Sequence, residues 1–117
     1  MKRKEKMALI DNYIKIFQIL YKCKINLIFA KNKEEILLLD TICQKLLFLK
    51  KEHEDLLQKN KGYDNAFILL KKQLEDGLNN YKQPTTLPFS TTFLNKANTI
   101  EENFKNIQKK SCKKFFQ

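Results

Sequence analysis

Only two glycines and two prolines interrupt 117 residues, and both prolines sit close together, at Pro84 and Pro88. A β-rich or α/β chain of this length would need turn residues at many more places. Between these few breaks, Lys, Leu, Glu and Gln dominate, all of them good helix formers. The length suits one domain, and three or four helices can bury a usable core at that size. The chain therefore reads as all-α: an antiparallel three- to four-helix bundle with a long first helix pair and a mobile C-terminal helix.

Apolar spacing places the helices at about residues 5–30, 33–59, 64–83 and 91–115, with a hinge at 84–90, all within a single domain 1–117. The first helix carries two adjoining stripes: Ile10, Tyr13, Ile14, Phe17, Tyr21, Ile28, and Leu9, Ile16, Leu20, Cys23, Leu27. A face that wide exceeds what one neighbour covers, so this helix should meet several helices, or one helix and a second subunit. Asn32 is placed to cap the second helix, with Glu35 at capping-box spacing. Leu39, Ile42, Leu46, Leu49, His53 and Leu56 then form an a/d seam of nearly three heptads. Gly62 ends that helix, Asp64 caps the third, and Gly77 weakens the third by ~1 kcal/mol relative to Ala. The third-helix stripe is Phe67, Leu70, Leu74, Leu78 and Tyr81. Residues before proline avoid the α region, so Gln83 and Leu87 should be extended. Ser90 or Thr91 starts the fourth helix, with a later start at a Thr99/Glu102 capping box also open. Its thin stripe (Phe93, Ala97, Ile100, Phe104, Ile107, Ser111, Phe115) implies weak docking.

The formal charge of +10 is uneven: +7 over residues 1–33, −1 over 34–82 and +4 over 83–117. Arg occurs once, at Arg3, while Lys, Asn, Ile, Phe and Tyr together supply 57 residues, a pattern of AT-rich codons. Lys lacks the planar fork that reads guanine, and the charge avoids the most ordered region, so no specific nucleic-acid partner is expected. The basic ends, Lys2–Lys6 and Lys109–Lys114, read as solvated termini. The longest strongly apolar uncharged runs cover six residues, far short of the ~20 that span a bilayer. No secretory signal is read, and the expected location is the cytosol.

Chemistry finds little foothold. Cys23, Cys43 and Cys112 are far apart and read as free thiols, with no base placed to activate Cys43. The single histidine, His53, falls on the seam and reads as a packed core residue. Glu34/Glu35 and Glu52/Glu54/Asp55 read as solvated helix-end charges rather than an acid–base pair. No cofactor, metal or enzymatic activity is expected. What remains is apolar helix surface, a feature of partner grooves and oligomer interfaces, a homodimer included.

One stretch has a more particular character. Tyr13, Leu20, Leu27-Ile28-Phe29-Ala30, a short polar turn, Glu34-Glu35, Ile36-Leu37-Leu38-Leu39-Asp40 and Leu46-Leu47-Phe48-Leu49 resemble the FliT family of flagellar type III export chaperones. The pattern covers about residues 10–82, with the helix order and lengths of the whole chain. The family's usual aromatic at the start of helix 2 is missing: Glu35 stands near that place. The resemblance implies binding of the filament-cap protein FliD, contact with FlhC of the flagellar transcription activator FlhDC, and contact with the export apparatus. It also implies a fourth helix that masks a partner groove until displaced. That groove would lie between helices 2 and 3, lined by Leu38, Ile42, Phe48, Phe67, Leu70 and Leu74, with Ile100, Phe104 and Ile107 as the masking face. A structural coiled-coil subunit of a larger assembly is the alternative reading.

Overall fold

The computed structural model describes residues 3–59, 65–80 and 90–113, all but Ala30, Lys31 and Asn32 within four helices: α1 (Arg3–Phe29), α2 (Lys33–Lys59), α3 (Asn65–Asn80) and α4 (Ser90–Lys113). No strand occurs among the described residues, as the scarcity of breaker residues requires. The molecule measures 52 × 28 × 18 Å, and its two 27-residue helices are each about 40 Å long at 1.5 Å per residue.

The α1–α2 turn is set by one side chain. Asn32 Oδ1 accepts the Glu35 amide at 2.7 Å, and its carbonyl accepts the Ile36 amide at 3.1 Å. These bonds satisfy donors that the first turn of α2 would leave free. The expected caps at Asp64 and Gly62, Tyr81, Gln83, residues 84–89 of the expected hinge and Phe115 lie outside the described residues. Ser90 already belongs to α4, so the later start falls away: Thr99 sits in mid-helix, its hydroxyl donating to the Asn95 carbonyl.

Pairings along the helices define an up-down-up-down order. Tyr13 reaches Glu54 and Cys23 reaches Cys43, so α1 and α2 are antiparallel. Tyr13 meets Phe67 and Tyr21 meets Leu74, so α3 runs with α1. Lys45 meets Asn98 and His53 meets Phe104, so α4 runs with α2. Among the described residues α4 packs on both long helices, whereas the α3 backbone packs on α1 alone. Helix 1 thus has three neighbours, which accounts for its wide apolar face. Ile19, Asn12 and Asn26 are buried on it in addition to its expected stripes, while Ile28 is exposed.

Two apolar clusters form the core. Toward the α1–α2 turn, Ile16, Leu20 and Cys23 meet Leu39, Ile42, Leu46 and Leu49, closed by Phe93, Ala97 and Ile100 of α4. At the other end, Leu9, Tyr13 and Phe17 meet Leu57, Phe67, Phe104 and Ile107. The α2 seam is buried as far as His53, then passes to Leu57 rather than Leu56. A straight helix drifts away from a strict seven-residue repeat, which moves the inward position by one residue.

The expected weak docking of α4 is corrected here. Phe93, Ala97, Ile100, Phe104 and Ile107 are all buried, none more than 7% exposed. One inward residue per turn is enough because α4 lies in the groove between two helices, and Ala97 allows close approach.

Candidate protein-binding surface

The inward seam of α2 determines which of its residues face solvent. With Leu39, Ile42, Leu46, Leu49 and His53 inside, positions 37, 41, 44 and 48 line up on the opposite side at three- and four-residue spacing. Leu37 is 68% exposed and Phe48 62%, flanked by Leu47 at 52% and Ile36 at 43%. The Thr41 hydroxyl donates to the Leu37 carbonyl at 2.8 Å, so its polar atom is satisfied within the helix. Ile28 and Phe29 close α1 at the same end of the molecule and are exposed as well. The first half of α2 and the hairpin tip therefore present large apolar side chains that no element of the described chain covers. Single exposed apolar residues are ordinary; several large ones along one helix face are what a partner helix can use as anchors.

The expected groove residues separate in the structure. Ile42 is fully buried in the turn-end cluster, and Leu38 packs at its edge. Phe67 is buried in the other cluster, where Leu74 packs beside it, and Leu70 is half-buried. Of the six, only Phe48 is exposed. The six do not line one α2–α3 groove, because the Ile42 and Phe67 sides of the core belong to opposite ends of the bundle. Ile100, Phe104 and Ile107 do share one face of α4, turned onto α1 and α2.

The space between α2 and α3 is bridged by charge instead. Glu54 accepts from the Tyr13 hydroxyl at 2.7 Å and pairs with Lys50 at 3.1 Å and Lys71 at 3.3 Å. Lys50 also reaches Glu75 at 3.7 Å and lies over the Phe17 ring. Burial pushes the Glu54 carboxyl up, but the Tyr13 and Lys50 hydrogen bonds and the charges of Lys50 and Lys71 outweigh it and hold it below its ordinary value. Glu54 is thus a structural tie rather than a solvated end charge. Sequence spacing alone does not reveal this, because its partners come from three helices.

His53 is fully buried, its ring 4.2 Å from that of Phe104. Burial pulls its pKa down to about 4, against the upward effect of the bond between Nδ1 and the Leu49 carbonyl at 2.6 Å. The ring is therefore neutral at pH 7, and Nε2 has no partner. Asn12 Nδ2 is likewise buried and unpaired, beside an open groove of about 290 Å³ between α1 and α4. A second groove of about 420 Å³ continues along the same seam, walled by Lys15, Lys22, Lys96 and several amides. The α4 seat is apolar at its centre and imperfectly satisfied along its α1 edge.

Among the described residues no group of three or more His, Cys, Asp or Glu is arranged to hold a metal ion, and no helix is long and apolar enough to cross a membrane. No protein-family model, curated protein or solved structure matches the chain.

Proposed function

We propose that this chain binds a partner protein by accepting an amphipathic helix on the outward face of α2, as an export chaperone of the FliT type would. The observation that carries the reading is the exposed face of Leu37, Thr41, Gln44 and Phe48 flanked by Ile36 and Leu47. Helix-on-helix recognition uses anchors at this three- and four-residue spacing. The family resemblance supplies the finer identity: the filament-cap protein FliD as cargo, with FlhC and the export apparatus as further contacts. A structural subunit assembled through the α2 seam is less well supported, since that seam is occupied by α1 and α4.

The test is co-purification from the native host, comparing the natural chain with a Leu37→Glu/Phe48→Glu double variant. Both positions are exposed, so helicity should be unchanged. The expected result is capture of cap protein by the natural chain and at least tenfold less by the variant. Equal capture by both would remove the α2 face from the reading, and capture of an unrelated assembly would remove the flagellar identity.

Self-masking by α4 is a second element, favoured by the unpaired Asn12 and His53 nitrogens along its seat. Displacing α4 would uncover Leu39, Ile42 and Leu46 for cargo, at a cost that cargo binding must exceed. Removing residues 84–117 should then tighten partner capture; unchanged or weaker capture rules out masking.

A further inference from the structure

In an antiparallel helix pair, residues placed symmetrically about the turn face one another. Cys23 and Cys43 are such a pair around Lys33, and their Sγ atoms lie 2.9 Å apart. Both are free thiols. A disulfide bond is about 2.05 Å long, so an approach of about 0.9 Å would join them. Their surroundings differ in a way that suits a stepwise reaction. Cys43 is half-buried and reachable from solvent, whereas Cys23 is fully buried, with its thiol 3.4 Å from the Leu39 carbonyl that accepts it.

We propose that Cys23 and Cys43 form a redox-active dithiol that closes to a disulfide in response to hydroperoxides, cross-linking α1 to α2. Cys43 is the reacting sulfur. It is the sulfur reachable from solvent, and it donates to the Cys23 sulfur, so loss of its proton leaves a thiolate already in contact with its partner. Cys23 holds its proton inside the core, donated to the Leu39 carbonyl, and burial pushes its pKa up.

The Cys43 thiolate attacks one oxygen of the hydroperoxide. An S–O bond forms, the O–O bond breaks, and the departing oxygen is protonated to water or an alcohol. Cys43 is thereby oxidised to a sulfenic acid, and the peroxide takes up two electrons. The Cys23 sulfur then attacks the Cys43 sulfur. The S–S bond forms as the S–O bond breaks, and the leaving hydroxide takes the Cys23 proton and departs as water. Two thiols and one hydroperoxide become one disulfide, one water and one water or alcohol. The bond would sit in the turn-end core, one helix face away from the outward stripe of α2, and would prevent α1 and α2 from parting there. It does not depend on the identity of any partner.

The test uses the reduced full-length chain and one equivalent of hydrogen peroxide. Intact mass should fall by about 2 Da, the loss of two hydrogens that marks a disulfide. Alkylation should then label Cys112 alone, peptide mapping should show Cys23 joined to Cys43, and dithiothreitol should restore labelling of all three. Cys112→Ser should behave like the natural chain. Cys23→Ser should arrest Cys43 as the sulfenic acid, a gain of about 16 Da, which reports on Cys43 even if that variant is less stable. Full alkylation of Cys23 and Cys43 after peroxide would overturn the proposal. So would cross-links to Cys112, or oxidation of Cys43 in the natural chain beyond the sulfenic acid without pairing.

Discussion

The two short helices are held to the long pair by different forces. α4 lies in the α1–α2 groove, with five buried apolar residues shared between both core clusters. α3 rests on α1 through Phe67 and the Tyr21 hydroxyl, and is tied to α2 by Lys71–Glu54 and Lys50–Glu75 beside the Phe67–Leu57 side of the core. Both helices read as amphipathic, yet one is held by burial and the other partly by charge. A helix that bridges a groove needs only one inward residue per turn. A helix leaning on a single neighbour needs polar ties to stay put. Of the two, α3 is the more easily separable, which reverses the expectation from stripe width.

The largest effect should come from truncating the buried aromatic on α4. Phe104→Ala removes the ring stacked on His53 and should cost about 3–5 kcal/mol of global stability, read from urea unfolding. Phe67→Ala on α3 should release that helix first, seen as fast amide exchange confined to residues 65–80. If both variants instead unfold the whole chain together, the contrast between the two helices is wrong.

Acid should weaken α4 next. His53 has an unfolded pKa near 6.5 and a folded one of about 4, so the unfolded chain binds more protons between those values. Stability is therefore intact above pH 6.5 and falls as pH drops toward 4, by about 3 kcal/mol in all. Glu54 acts lower: its contribution is present above its ordinary value of 4.5 and is lost as pH falls through its depressed one. Urea midpoints between pH 7 and 4.5 should thus report His53, and His53→Leu should flatten that slope. An unchanged slope would show that the imidazole is not what titrates.

A smaller effect is expected from the charged bridge to α3. Glu54→Gln keeps an acceptor for Tyr13 but removes the charge facing Lys50 and Lys71, and should cost about 1 kcal/mol. The loss should shrink in high salt, whereas that of Phe104→Ala should not. Smallest is Gly77→Ala. A Cβ there would come within 2.7 Å of the Tyr21 hydroxyl, which donates to the Leu74 carbonyl at 2.7 Å. The change should be neutral or slightly destabilising alone. In a Tyr21→Phe background it should stabilise by up to about 1 kcal/mol, as helix propensity alone dictates. A stabilising effect in the natural background would mean that α3 and α1 are not tightly apposed.

Much of the helical architecture was legible in the residues because it rests on local chemistry. Asn32 caps α2 whatever packs around it, and the 39–42–46–49–53 spacing marks one face of that helix as buried. The meeting of Cys23 with Cys43 was less legible, since it also needs the register in which α1 packs on α2. The proposed binding face was legible only in part. The seam spacing puts Ile42 inside and Phe48 off it, but nothing local tells whether another helix covers Phe48.

Sequence by itself determined that this chain is helical, where α2 begins, and which stripe of α2 turns inward, because propensity, capping and periodicity act over a few residues. Only the tertiary structure decided that α4 shares both long helices while α3 leans on one, that Glu54 ties three helices together, and that Leu37 and Phe48 remain outside. Those outcomes depend on which apolar faces compete for the same neighbour, and that competition is settled by distances between residues remote in the chain.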